Sequence, residues 1–194
     1  MDLDKSTRWI WFIMGPTACG KTTVAKALTD ALGATFLEGD DFHPKTNVEK
    51  MSRGEALTDA DRKVWLHSLR DHETYHPTES TSRVLVVTCS ALKRQYRDIL
   101  REGSQRTPDL RIRFVYLEAP EAVLKARATA RKGHYAGSNL VHSQFETLEP
   151  PAEDERDVVR VDVNRRPKEV QQDVLERVRE VMANEENGSK CSDT

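Results

Sequence analysis

Long hydrophobic runs are missing from this 194-residue chain: the longest unbroken one, Trp9 to Met14, is six residues. A membrane-spanning helix needs about 18 or more, so no span is expected. The opening MDLDKSTR carries acids and lacks the apolar core of a signal peptide. Cysteine is scarce too. Cys19, Cys89 and Cys191 form no CxxC pair and cannot all pair with one another, which suits a reducing compartment. Charge of one sign is also lacking, with 30 Lys and Arg against 32 Asp and Glu and a net charge of −2. Such a balance offers no field to draw nucleic acid or an anionic membrane. The expectation is a soluble cytoplasmic protein that binds neither, so any phosphate affinity must come from a local site.

What is present is an alternation of apolar, β-branched runs with helical patterns. RWIWFIM, ATFLE, RVLVVTCS, IRFVYLE and DVVRVDV read as five strands. Between them, KTTVAKALTDALG reads as a helix with Val24, Leu28 and Ala31 on one face and Gly33 as its stop. TDADRKVWLHSLRDH reads as a second helix, with Thr58 and Asp61 in capping-box positions and Val64, Trp65 and Leu69 facing inward. ALKRQYRDILREG is expected to close at Gly103, APEAVLKARATARKG follows the fourth strand, and Pro167 opens a last helix with a stripe of Val170, Val174, Val178 and Met182. Strand–helix alternation implies βαβ units and a parallel sheet covered on both faces. Two long polar segments interrupt it, GDDFHPKTNVEKMSRGEAL and RKGHYAGSNLVHSQFETLEPPAEDER, and long segments of this kind in a compact domain are usually functional.

After the first strand comes Gly15, Pro16, Thr17, Ala18, Cys19, Gly20, Lys21, Thr22, a match to G-x-x-x-x-G-K-[ST] placed between a strand and a helix. The glycines let successive backbone N–H groups point inward at phosphate oxygens, and the helix adds the positive end of its dipole. Lys21 is expected to reach the β- and γ-phosphates and the Thr22 hydroxyl to ligate Mg²⁺, with Thr23 beside them. The fold class expected is therefore α/β, a three-layer P-loop nucleoside-triphosphate-binding fold with a five-stranded parallel sheet, helices on both faces and a lid insertion.

A P-loop alone does not say where the phosphate goes. A GTPase switch would carry Asn-Lys-x-Asp, which is absent, and a motor ATPase would usually end its strand in Asp, where VLVVTCS ends in Thr88, Cys89 and Ser90. A small-molecule kinase remains. Such enzymes place a carboxylate at the end of the second strand, and here stand Glu38 and Asp40 around Gly39, which lets the chain bend. One acid can serve the metal and the other orient the acceptor hydroxyl. Arg127 and Arg131, four apart, share a helical face and form either a solvated surface or a clamp over the nucleotide.

GDDFHPKTNVEKM, LTDADRKVWL, CSALKRQYRDILR, ARKGHY and QFETLEPP, together with the P-loop, give the chain a clear resemblance to the gluconokinases of the P-loop, shikimate kinase-like type, from about Trp9 to Val163. That resemblance implies ATP-dependent phosphorylation of D-gluconate on its 6-hydroxyl, a mobile lid, ATP and D-gluconate as small-molecule partners, and often a homodimer. By position it makes Asp40 the base, puts Glu38 near Mg²⁺, and places His43, Arg62, Lys93 and Arg97 toward the sugar acid and Arg127, Arg131 and His134 in the lid. The chemistry agrees, since gluconate is an anion with five hydroxyls. Arg62, with its planar fork, is the first choice for the carboxylate; Lys93 and Arg97 compete, and an ion pair of Arg62 with Asp59 or Asp61 is the structural alternative. A related sugar acid or shikimate as acceptor, and a non-catalytic nucleotide-binding regulator, are the other readings.

The P-loop departs from the commoner family pattern in carrying Pro16, Thr17, Ala18 and Cys19 where Val-Ser-Gly-Ser is frequent. A thiol beside inward amides and Lys21 could have a lowered pKa and react readily, or could simply fill space. His67, His72, His76 and His142 read as surface residues. The expected organisation is one kinase domain over residues 1–183, with a substrate segment at about 39–72, a lid at about 127–150, and a disordered tail at 184–194.

Overall fold

The computed structural model describes residues 7–53, 55–75, 82–130 and 136–190, without the side chains of 73–75, 136–138 and 187–190. Its elements run β1 (Arg8–Met14), α1 (Lys21–Leu32), β2 (Thr35–Glu38), a 3₁₀ turn (Gly39–Phe42), α2 (Lys45–Ser52) and α3 (Asp59–Tyr75), then β3 (Val84–Thr88), α4 (Arg94–Arg106), β4 (Leu110–Glu118), α5 (Glu121–Ala130), α6 (Ala136–Thr147), β5 (Val158–Asp162) and α7 (Pro167–Lys190). The five strands form one parallel sheet in the order β2-β3-β1-β4-β5. With β1 at the centre, its end delivers the glycine-rich loop to the middle of the sheet's C-terminal edge. Ligands of open α/β sheets bind at that edge.

Alternation along β1 sets the two layers of helices. Trp9, Trp11 and Ile13 pack with Val24 and Leu28 of α1 and with Val170, Val174, Val178 and Met182 of α7. Ile10, Phe12 and Met14 pack on the other face with Trp65, Leu66 and Leu69 of α3 and Tyr96, Ile99 and Leu100 of α4. Both faces of the strand are buried, which is why its sequence is an unbroken apolar run. Truncating a side chain as large as the fully buried Trp11 would cost about 3–5 kcal/mol.

Several expected details shift. Val64 is 57% exposed and the inward face of α3 is Trp65, Leu66, Leu69 and Arg70. On α1 the buried residues are Val24, Ala25 and Leu28, while Ala31 is exposed. Gly103 does not stop α4; it is buried within the helix, which runs to Arg106. The helical cost of a glycine, about 1 kcal/mol, is small beside the packing of α4 against the sheet and α3. α7 continues to Lys190, so residues 184–190, expected as tail, are helical. The two polar interruptions also hold helices, α2 and α6, that their weak apolar patterning did not reveal. No described helix is long and apolar enough to cross a membrane.

Candidate active site

The loop between β1 and α1 is built on backbone conformations that few residues accept. Gly15 has φ +138°, and a Cβ there would sit 2.7 Å from the Leu117 carbonyl oxygen. Gly20 (φ +102°) leads into α1, and Ala18 takes a left-handed φ of +68°, where glycine would carry no steric cost. Lys21 folds back, its Nζ donating to the Gly15 carbonyl at 3.0 Å and the Pro16 carbonyl at 3.2 Å. Those bonds hold the ammonium over the loop, where a phosphate chain would lie. Cys19 is buried. Burial pushes its thiol up, outweighing the opposing pull of Lys21 and the loop amides, so the reactive-thiolate expectation is overturned and the space-filling one stands.

At the end of β2, Glu38 reaches the loop. Its carboxylate accepts from the Thr22 hydroxyl at 3.2 Å and from the Thr88 hydroxyl of β3. The expected metal pair, Thr22 and Glu38, thus comes together across two elements. Gly39 has a different reason from the bend expected of it: a Cβ there would lie 2.1 Å from the Thr88 carbonyl oxygen, so only glycine lets the turn lie against β3. The next residue, Asp40, is exposed, and its carboxylate has no hydrogen bond to any described residue. Its charge meets those of Lys21 and Arg62 around Cys89, whose thiol burial pushes up to about 12.

The three candidate cations fall into three conditions. Arg62, on α3, has a guanidinium with no hydrogen bond or ion pair to a described residue. The alternative ion pair of Arg62 with Asp59 or Asp61 is not made, because other groups hold both acids: Asp61 accepts from Lys50 Nζ at 2.7 Å and from Thr58, completing the capping box. Asp59 accepts from Lys93 Nζ at 2.8 Å, the Tyr96 hydroxyl at 2.6 Å and Gln95 at 3.2 Å. Lys93 is therefore partly engaged. Arg97 is fully engaged, its side chain 1% exposed and forked onto Glu155 by two 2.7 Å bonds, with the Ala91 and Glu149 carbonyls taking two more. The expectation that Arg97 binds substrate is corrected: its fork is used up inside the protein.

His43 stacks on Trp65, ring centroids 4.0 Å apart, and burial together with the Arg62 charge lowers its pKa to about 4. On the other flank of the loop a cavity of about 320 Å³ is lined by Ala18, Thr23, Arg127, Val163, Arg165 and Pro167. Arg127 donates to the Val163 carbonyl at 2.6 Å, which sets it as one wall of this cavity. Arg131 and His134 lie outside the described residues, as does His76. Of the histidines read as surface residues, His142 is exposed, whereas His72 packs edge-on to Phe42 at 4.7 Å.

Sequence reasoning missed three residues that hold the site. Gln144 of α6 accepts from the Thr17 N–H at 2.6 Å, tying α6 to the phosphate loop. Glu149 accepts from the Arg94 N–H at the start of α4, and Glu155 anchors Arg97. Gln144 and Glu149 lie in the stretch QFETLEPP, whose family character was visible while its contacts, more than 50 residues away in sequence, were not.

A P-loop whose Thr22 bonds an acid at the end of β2, with a guanidinium beyond it that meets no described partner, defines a P-loop kinase of small molecules. A family model described as AAA domain matches residues 10–154, and a probable gluconokinase of Schizosaccharomyces pombe is 42% identical over 90% of both chains. The chain belongs to the gluconokinase family, within the wider AAA-domain group. It is also 44% identical to the thermoresistant gluconokinase of Escherichia coli, over 80% of this chain and 85% of that one. The crystal structure of a gluconokinase from Sinorhizobium meliloti 1021 superposes with a TM-score of 0.77 at 38% identity, covering 92% of this chain and 95% of the other.

Proposed function

We propose that this chain phosphorylates D-gluconate on its 6-hydroxyl with ATP, giving 6-phospho-D-gluconate and ADP. The observation that carries the reading is that the charges of Lys21, Asp40 and Arg62 all act on Cys89, just past the end of β3, in a chain whose relatives are gluconokinases. Inward N–H groups from Gly15 to Thr22, with Lys21, would hold the triphosphate; Thr23 and Arg127 would face the rest of the nucleotide. Asp40, whose carboxylate meets no described partner, would take the proton of the attacking hydroxyl. Arg62 would pair with the carboxylate, with Lys93 as a weaker second cation. Arg131 and His134 are assigned to the lid, which would close over the nucleotide and shut out water.

The residues present fit Mg²⁺. Thr22 and Glu38 offer oxygen donors only, and the described residues contain no cluster of three or more His, Cys, Asp or Glu. So sparse an oxygen set suits an ion that keeps waters and takes its other ligands from substrate phosphates. When bound, it would neutralise charge on the phosphate oxygens.

The test is ADP release with Mg-ATP against D-gluconate, 2- and 5-ketogluconate, shikimate, AMP and no acceptor. Strong turnover with D-gluconate alone is expected. Turnover with another acceptor instead would void the roles of Arg62 and Lys93, and silence with ATP still bound would favour a nucleotide-binding regulator.

A further inference from the structure

The amide of Asn47 has only one orientation that its surroundings allow. Asn47, 2% exposed in α2, lies 3.0 Å from the backbone carbonyl oxygen of Asp61 and 3.3 Å from Nδ1 of His43, both through the same terminal atom. A backbone carbonyl can only accept. The atom facing it must therefore be the NH₂ group, and its second hydrogen points at His43. Nδ1 of His43 then has to accept, which leaves the ring proton on Nε2.

The rest of the ring is fixed as firmly. His43 lies nearly parallel to Trp65 at 19°, and the Trp65 indole donates to the Gly39 carbonyl at 2.8 Å. Gly39 itself lies tight against β3, its N–H donating to the Thr88 hydroxyl at 3.3 Å. Position, plane and tautomer are thus set by three separate elements, while Nε2 has no partner among the described residues and is not sealed from solvent. The charge of Arg62 is close enough to disfavour a second proton. A neutral imidazole held with one N–H outward, beside a guanidinium that meets no described partner, is a poor base but a well-aimed hydrogen-bond donor.

We infer that Asn47 is a positioning residue that holds His43 as an Nε2–H donor to an oxygen of the sugar acid, next to the carboxylate held by Arg62. The inference rests on the gluconate reading. It gives His43 no part in proton transfer, leaving that to Asp40. It also accounts for the spacing in HPKTN, where His43 and Asn47 are four apart so that the turn and the first coil of α2 bring them face to face.

The first test needs no variant. Long-range ¹H–¹⁵N spectra of the imidazole at pH 7, on the full chain without nucleotide, should show Nδ1 unprotonated and Nε2 protonated; the reverse tautomer overturns the inference. D-Gluconate is then added, with binding followed in parallel by calorimetry. A shift of the Nε2 resonance on binding supports the inference, and gluconate bound with Nε2 unmoved overturns it alone. No binding of gluconate overturns the substrate assignment and the inference together.

Variants supply the second test. His43→Phe keeps the stack and removes the donor, and should raise the KM for gluconate about tenfold while the KM for ATP holds. His43→Gln, which can place an N–H near the Nε2 position, should recover most of the loss. Asn47→Ala should raise the gluconate KM in the wild-type background and add nothing in His43→Phe. Additive effects would show that Asn47 acts only on the fold and overturn its assigned role.

Discussion

Two arginines, Arg62 on α3 and Arg97 on α4, are held in opposite ways. Arg97 is sealed from solvent and its fork is met by Glu155 and two carbonyls; Arg101 extends the same network to Glu155, Asp157 and Asp98. Arg62 is half-buried and its guanidinium meets no described partner. A charge taken partly out of water without a counter-ion is a cost, and a fold retains such a cost most readily where a ligand supplies the missing anion. The network around Arg97 fastens α4 to the segment before β5 and is complete as it stands. The cleft around Arg62 is incomplete in a way that an anionic acceptor would satisfy.

Breaking the complete region should have the largest effect. Arg97→Ala strips the two-bond fork from Glu155, 2% exposed, leaving this buried charge only Arg101 and the Ala152 N–H, and should cost about 3–5 kcal/mol by urea unfolding. The same region carries an acid dependence. Burial pushes the Glu155 carboxyl up, but the hydrogen bonds from Arg97 and Arg101 outweigh it and bring it to about 2, against an ordinary 4.5. A depressed folded-state pKa stabilises above the unfolded value and loses that stability as pH falls through the folded one. The urea midpoint should therefore be level above about pH 5 and fall between about 4.5 and 2, with a shallower fall in Glu155→Gln. An identical slope in the variant would remove Glu155 from the acid response.

In the open region the losses should appear in turnover rather than in stability. Asp40→Asn should leave ATP binding near normal and reduce kcat by at least ~100-fold, the usual scale of acid–base catalysis. Retained turnover would take Asp40 out of the base role. Arg62→Ala comes next. It removes a charged hydrogen-bond donor from the acceptor, so kcat/KM for gluconate should fall about 10- to 150-fold with stability within ~0.5 kcal/mol of wild type. A large stability loss in Arg62→Ala with unchanged KM would erase the contrast with Arg97.

That contrast marks the limit of what sequence conveys. The five strands, the phosphate loop, the capping box of Thr58 and Asp61 and the stripe of α7 depend on neighbours within a few positions, and periodicity or spacing displays them. Arg62 and Arg97 look alike in sequence, because what separates them is the partner each finds: Glu155, 58 residues on, for Arg97, and none among the described residues for Arg62, since Lys50 and Lys93 have already taken Asp61 and Asp59. The same reasoning covers Gln144, which meets Thr17 across 127 residues. Helices α2 and α6 were missed for another cause: mixed polar sequences with few buried residues owe their shape to docking, and docking is not periodic. Gly103 was misread because a glycine near the end of a helical pattern resembles a stop until its burial is known.

Lys93 sits between the two conditions and gives the sharpest form of the comparison, though the smallest effect. Its side chain is 22% exposed and its ammonium is paired with Asp59, which the Tyr96 hydroxyl and Gln95 also bind. Those bonds hold the Asp59 carboxyl down to about 2, so Asp59 stays charged through the working range and keeps its hold on Lys93. For Lys93 to serve the gluconate carboxylate it would have to share or leave Asp59, and solvent screening makes either arrangement weak. Lys93→Met should therefore raise the gluconate KM by less than about fivefold, and that increment should vanish at high salt while the Arg62→Ala defect persists. A Lys93→Met defect as large and as salt-resistant as that of Arg62→Ala would transfer the carboxylate to Lys93, and the unpaired state of Arg62 would then need another ligand to explain it.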